Sequence, residues 1–288
     1  MGQIFKLLRV HQYIKNLFIF LPLLFSLSFF DAQNCINTLF AFLLFSATAS
    51  SIYIFNDLLD IEEDRVHPTK KNRPLANGSI SKKSAIILMF LLSSTSLFLS
   101  FIFNIELFGV LLIYFFLNIL YSIKLKHISI LDIFIIATGF VLRLFAGSVV
   151  TDVELSMWII LLTFLLAIFL ALAKRRDDVL LSLGGQETRK NIDGYNLEFV
   201  NASMVLMAGV VILSYIMYTI SPEVTQRLNS NYLYLTSFFV ILGVLRYMQI
   251  TFVEQDSASP TKILIKDRFL KVTIILWLIS FIGITKFI

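Results

Sequence analysis

Long uninterrupted apolar runs constrain this chain more than any other feature. They recur from end to end, and each is long enough to cross a hydrocarbon core of about 30 Å at 1.5 Å per helical residue. Backbone in lipid must satisfy its own hydrogen bonds, so such runs fold as transmembrane helices. A β-barrel would show short alternating segments, and the sequence has none. Composition agrees: of 288 residues 58% are hydrophobic and 15% charged, against roughly 25% charged in an average soluble domain. The chain reads as an all-α integral membrane protein whose first partner is the lipid bilayer; no nucleic-acid partner is expected.

Splitting at charges and turn residues predicts nine transmembrane helices, approximately 14–32, 35–56, 84–103, 105–121, 129–150, 155–173, 198–220, 232–252 and 269–287. Met1 to Lys15 followed by Asn16 to Phe30 has the outline of a signal peptide but no clear A-x-A-like cleavage site, so it reads as an amphipathic lead-in and a retained first helix. With a cytoplasmic N-terminus, Lys and Arg gather on the inner side; only Arg227 and Lys286 fall outside, and Arg143 and Arg246 fall within spans. That asymmetry predicts a protein of the cytoplasmic membrane with its C-terminus outside. Outer links near Asp31, Glu106 and Asp152 are short, whereas two inner loops, about 57–83 and 174–197, are long. The expectation is one transmembrane domain over residues 1–288 with its chemistry in those cytoplasmic loops.

The lone cysteine, Cys35, excludes an internal disulfide, and His11, His67 and His127 lack zinc-site spacing. The chemistry must lie elsewhere. Phe55 to Gly78 holds five of the nineteen acidic residues and four of the twenty-four basic ones. Asp57, Asp60 and Asp64 are spaced i, i+3, i+7, so a helix continuing from the second span places their carboxylates on one stripe. Their repulsion is relieved by a divalent cation, and carboxylate oxygens, with the Asn56 amide, suit Mg²⁺ completed by substrate phosphates. Arg65, Lys70, Lys71 and Arg73 follow, ready to grip phosphate oxygens that the metal does not reach. The plainer alternative is a solvated loop touching anionic lipid, which gains nothing from five interleaved acids.

The pattern Asn56-Asp57-x-x-Asp60-x-x-x-Asp64 resembles the first aspartate-rich motif of the UbiA superfamily of membrane prenyltransferases. The resemblance implies nine transmembrane helices around a central cavity and Mg²⁺-dependent transfer from a diphosphate donor. Asp57, Asp60 and Asp64 would be its catalytic carboxylates, and these with Asn56 its metal ligands. Ala173 to Asp178 stands at the superfamily's second motif, typically D-x-x-x-D, but the earlier aspartate is replaced by Lys174. A cation there removes a ligand and supplies a phosphate contact.

This departure makes the chain similar to one branch, the decaprenyl-phosphate phosphoribosyltransferases, which move phosphoribose from 5-phosphoribosyl diphosphate to polyprenyl phosphate. The shared residues are Gln12, Lys15 and Asn16; Asp60, Glu62, Asp64, Arg65, His67 and Pro68 with Arg73 and Pro74; Tyr121, Ser122, Lys124 and Lys126; Asp132; Arg143 and Gly147; Lys174 and Arg175; Tyr195; and Asp267 with Arg268. Implied substrate-binding residues are Lys15, Asn16, Arg65, His67, Lys71, Arg73, Tyr121, Lys124, Lys126, Asp132, Arg143, Lys174, Arg175 and Asp178. The branch usually has Glu where this chain has Asp177-Asp178, which leaves the role of Asp178 open.

Arg143 lies some 14 residues into its predicted span, about 21 Å of helix, where an arginine costs at least ~2.5 kcal/mol unless it faces a polar cavity. Asp132 falls on nearly the same face. The alternative for both is a buried ion pair with another helix, whereas Arg246, near the inner end of its span, snorkels. Two rival functions stay open. One is prenyl transfer from a prenyl diphosphate to an aromatic or other small ring, against which Lys174 argues. The other is a transporter or channel, with Asp132 and Arg143 marking an ion path.

Overall fold

A computed structural model describes residues 2–67, 70–184, 194–254 and 260–287. The chain divides into two compact units, Met1–Leu155 and Ser156–Ile288. In the first unit, α1 (Gly2–Leu7) precedes a 3-10 helix over Val10–Phe20, then α2 (Leu21–Ser26), α3 (Ala32–Leu59), α4 (Ile61–Val66), α5 (Lys82–Phe103), α6 (Ile105–Ile123) and α7 (Leu131–Val149). The second unit holds α8 (Met157–Leu183), α9 (Leu197–Ile220), α10 (Pro222–Leu228), α11 (Ser237–Phe252), α12 (Pro260–Lys266) and α13 (Arg268–Phe287). Among the described residues, eight helices are long and apolar enough to cross a membrane.

The expected first span, 14–32, is the exception. It breaks into 3-10, α and 3-10 pieces, because Pro22 restarts the helix near its N-terminus and Leu27 turns left-handed at φ 59. The broken segment buries Ile19 in the core and is also held by polar contacts. Tyr13 meets the Ser50 hydroxyl at 2.8 Å, Ser50 donates to the Leu8 carbonyl at 2.9 Å, and the Asn16 amide donates to Ser46 at 2.8 Å. The small residues Ser46 to Ser51 on α3 allow this approach. Gly147 on α7 does the same from the other side, since a Cβ there would stand 2.0 Å from the Ile19 carbonyl oxygen.

Two expected loops also differ. The helix of 155–173 runs ten residues further, to Leu183, because nothing between Lys174 and Leu183 breaks it and an Arg175–Asp178 ion pair spans one turn. In the other, residues 57–83, α3 continues to Leu59 and α4 and a 3-10 turn over Lys70–Asn72 follow. Leu75 from this segment packs with Leu7, Ile54, Ile61 and Ala85, which pins the charged stretch onto α1, α3, α4 and α5.

In the second unit Arg176 is a latch. Its Nε donates to the Asn201 side-chain oxygen at 2.9 Å, its Nη1 donates to the Thr251 carbonyl at 2.7 Å, and its guanidinium lies over the Phe252 ring, so α8, α9 and α11 are tied at one end. Arg246, expected to snorkel, clasps Asp267 at 2.7 Å and Glu254 at 2.8 Å. Asp267 also accepts the Leu270 amide at 2.7 Å, capping α13. Hydrogen bonding from Arg246 holds the Asp267 carboxyl below its ordinary value. Its stabilising contribution is therefore present above the ordinary carboxylate range and is lost as pH falls through the lowered value. Asp267→Ala is expected to cost about 1 kcal/mol, the scale of one lost cap. In detergent at neutral pH the variant should melt several degrees below the parent, and the gap should close in acid.

Candidate active site

The site is built around the end of α3. The helix stops at Asp60 (φ −95, ψ 9) instead of continuing, and α4 begins at Ile61. The three carboxylates therefore do not share one stripe. Asp57 and Asp64 turn inward, each 2% exposed, while Asp60 faces another way. One nitrogen of Arg73 spans the inward pair, with Nη1 donating to Asp57 Oδ1 at 3.1 Å and to Asp64 Oδ2 at 2.6 Å. Asp57 Oδ1 also accepts from Arg9, whose guanidinium lies over the Tyr53 ring at 5.0 Å. Arg9 holds a left-handed backbone at φ 50, a conformation that costs about 1–2 kcal/mol. Sequence reasoning counted Arg9 only as an inner-side cation, since its partner is 48 residues away.

Asp60 pairs with Lys126 at 2.7 Å and accepts from the Asn56 amide at 2.8 Å. Of the four expected metal ligands, the structure brings Asp57 and Asp64 to a common cation and sets Asn56 and Asp60 together beside Lys126. Arg65 is turned away, donating to Glu62 at 2.9 Å and to the Ala76 carbonyl at 3.3 Å. His67 accepts the Lys70 amide through Nδ1 at 3.3 Å and so caps its own turn, and Lys71 is exposed beside it. Tyr121 lies on the last turn of α6 and Lys124 is exposed at its end.

Donor chemistry decides whether this mouth suits Mg²⁺. Among the described residues no group of three or more His, Cys, Asp and Glu is placed to hold a metal by itself. Mg²⁺, however, usually takes only one or two carboxylates and completes its shell with water and substrate phosphates. Asp57 and Asp64 supply that pair of hard oxygen donors, already directed at one positively charged atom. The residues fit the ion.

Deeper in the same unit Arg143 is buried on α7. Its Nε donates to Asn16 Oδ1 at 2.8 Å, Nη1 to the Gly139 carbonyl at 2.6 Å and Nη2 to the Tyr114 hydroxyl at 3.2 Å. The rings of Phe45, Tyr114 and Phe140 face its guanidinium at 4.8–5.3 Å. Every one of these partners is neutral, so no carboxylate among the described residues contacts the guanidinium of Arg143, and Lys15 lies within electrostatic reach of both Arg143 and Arg9. Asp132 is fully buried in the first turn of the same helix. In the second unit, Lys174 is half-buried and Arg175 is buried against Asp178 on helix α8, which is one unbroken element at that point.

The UbiA prenyltransferase family matches residues 18–275. The decaprenyl-phosphate phosphoribosyltransferase of Mycolicibacterium smegmatis is 30% identical over 287 residues, covering 95% of this chain and 89% of that protein. The enzyme of the same name from Corynebacterium glutamicum is 29% identical over 277 residues, covering 94% and 83%. A solved UbiA homolog from Archaeoglobus fulgidus bound to DMAPP and Mg²⁺ shares the fold, with a TM-score of 0.71 at 19% identity over 99% of each chain. With its buried carboxylate pair at the end of a membrane helix and a family match over most of its length, the chain belongs to the UbiA prenyltransferase family and is a multi-pass membrane transferase.

Proposed function

We propose that this transferase moves 5-phosphoribose from phosphoribosyl diphosphate to a polyprenyl phosphate, releasing diphosphate at the cytoplasmic face of the cytoplasmic membrane. The observation that carries the reading is the pair of buried carboxylates, Asp57 and Asp64, bridged by Arg73 with Arg9 on Asp57, beside a separate Asp60–Lys126 pair. Such a mouth suits a multiply charged phosphate group bound with Mg²⁺. Support for phosphoribosyl as the transferred group comes from Lys174, which stands where the superfamily typically has an aspartate, and from the two relatives named for that activity.

In this reading Asp57 and Asp64 would hold Mg²⁺, which would supply charge neutralisation to the departing diphosphate, while Asn56 and Asp60 stay paired beside Lys126. Arg9 and Arg73 bind its remaining oxygens and orient it. An oxygen of the polyprenyl phosphate forms the new bond to ribose C1 as the C1–O bond to diphosphate breaks, and that electron pair leaves with the diphosphate. The acceptor is already an anion, so no side chain needs to remove a proton. Lys15 and Arg143 present positive charge to a phosphate, while the acceptor's tail stays in lipid.

Purified protein given labelled phosphoribosyl diphosphate and a polyprenyl phosphate is expected to form lipid-linked phosphoribose, and to form no prenylated ring from a prenyl diphosphate and an aromatic acid. The opposite pattern would reject the proposed donor. Lys174→Asp is expected to weaken phosphoribosyl diphosphate binding by at least about tenfold, the scale of one charge-assisted hydrogen bond. Unchanged affinity removes Lys174 as the basis for choosing this donor.

A further inference from the structure

The contacts of Asp57 and Asp64 bear on the order in which ligands enter. Arg73 Nη1 stands between the two carboxylates, and Asp57 carries Arg9 as well. A divalent ion that takes Asp57 Oδ1 and Asp64 Oδ2, the oxygens the arginines occupy, displaces both guanidiniums. The acids are almost fully buried, whereas the Arg9 and Arg73 side chains are 20% and 25% exposed, so the arginines are the partners with room to move.

Displacement by a bare ion is unfavourable. It exchanges charge-assisted hydrogen bonds for metal–oxygen bonds, but it leaves two guanidiniums beside a new double positive charge with no anion to receive them. The same ion arriving on a diphosphate brings those anions with it. Each displaced guanidinium then re-pairs with phosphate oxygens, and its planar fork suits that geometry.

We infer that Arg9 and Arg73 are exchangeable placeholders at the carboxylate pair, so that the site takes its divalent ion and its diphosphate as one unit and binds the bare ion poorly. The inference rests on the proposed function for the identity of the site, and it adds a specificity role for Arg9 and Arg73. Coupling of this kind is reciprocal: diphosphate raises metal affinity by the factor by which metal raises diphosphate affinity.

Binding of Mn²⁺, followed by its electron paramagnetic resonance signal on the full-length protein in detergent, tests this without turnover. Titrations are run with the metal alone and with methylenediphosphonate in excess, correcting for the complex formed in solution. The parent is expected to bind Mn²⁺ at least about tenfold more tightly with the diphosphonate, within the usual range of coupling between sites. Arg73→Gln should bind Mn²⁺ alone more tightly than the parent and lose most of the enhancement. Arg9→Gln, which removes the other guanidinium from Asp57, should shift both quantities in the same direction and serves if Arg73→Gln does not fold. Parent protein that binds Mn²⁺ equally well in both titrations, or variants that keep the full enhancement, overturns the exchange and leaves the transferase reading standing. Absence of Mn²⁺ binding in every titration overturns the exchange and the proposed metal together.

Discussion

Asp57→Asn is expected to lower kcat/KM for phosphoribosyl transfer by at least about a hundredfold, the scale on which a single preorganised electrostatic group contributes to a reaction. The substitution keeps the shape of a buried side chain and removes the charge that Arg9 and Arg73 share. Asp64→Asn should match it, because Arg73 joins the two carboxylates through one nitrogen. Asp60→Asn should cost clearly less, since that carboxylate is 20% exposed and is engaged by Lys126 and Asn56. Initial rates for the three variants, each checked for intact helical signal, give the ranking. Equal losses at all three positions would mean that the carboxylates act as a trio and that the division between the inward pair and Asp60 is mistaken.

Gly147→Ala gives the second large effect, and two physical arguments predict opposite signs. Alanine is the better helix former by about 1 kcal/mol in an exposed helix interior, so propensity alone favours the change. Contact says otherwise: the added Cβ would lie 2.0 Å from the Ile19 carbonyl oxygen and 2.9 Å from its carbon, both main-chain atoms that cannot rotate away. Helix α7 and the 3-10 segment must then separate, at a cost of about 1–3 kcal/mol for an overpacked site. The same separation pulls Asn16 from Arg143, 2.8 Å apart across this interface. Thermal unfolding in detergent should show a lower melting temperature for Gly147→Ala together with reduced activity. A raised melting temperature would show that helix propensity outweighs the contact.

Much of the fold was legible because hydrocarbon dictates it. Eight of the nine expected spans correspond to helices long and apolar enough to cross a membrane, for lipid leaves an apolar run no other way to satisfy its backbone. The broken first span was not legible, because its 3-10 geometry depends on side chains from α3 and on a bare Gly147, contacts more than thirty residues away for Ser50 and further still for α7. The expected loop at Lys174 failed for a simpler reason. Charge was taken as the end of a helix, yet Lys, Arg and Asp are tolerated in helices, and the first residue that stops this one is Gly184.

In the candidate site, the aspartate spacing predicted one helical stripe, and the local shape differs. A periodic stripe presumes a continuous helix, and the break at Asp60 moves one carboxylate out of the set. Arg73 was read as a phosphate ligand and proves to bridge Asp57 and Asp64. Arg9 was overlooked because nothing near it in sequence signals its partner. Arg143 was expected to face a polar cavity or a buried ion pair; it is buried among neutral partners, and Asn16, Phe45 and Tyr114 among them come from elements remote in sequence.

The most direct measurement is a well-resolved map of the protein with Mg²⁺ and a non-reactive phosphoribosyl diphosphate analogue. Metal density bonded to Asp57 and Asp64 at about 2.0–2.1 Å is expected, with Arg9 and Arg73 moved onto the diphosphate. Density for the analogue with both arginines still on the two carboxylates and no ion between them would contradict that expectation.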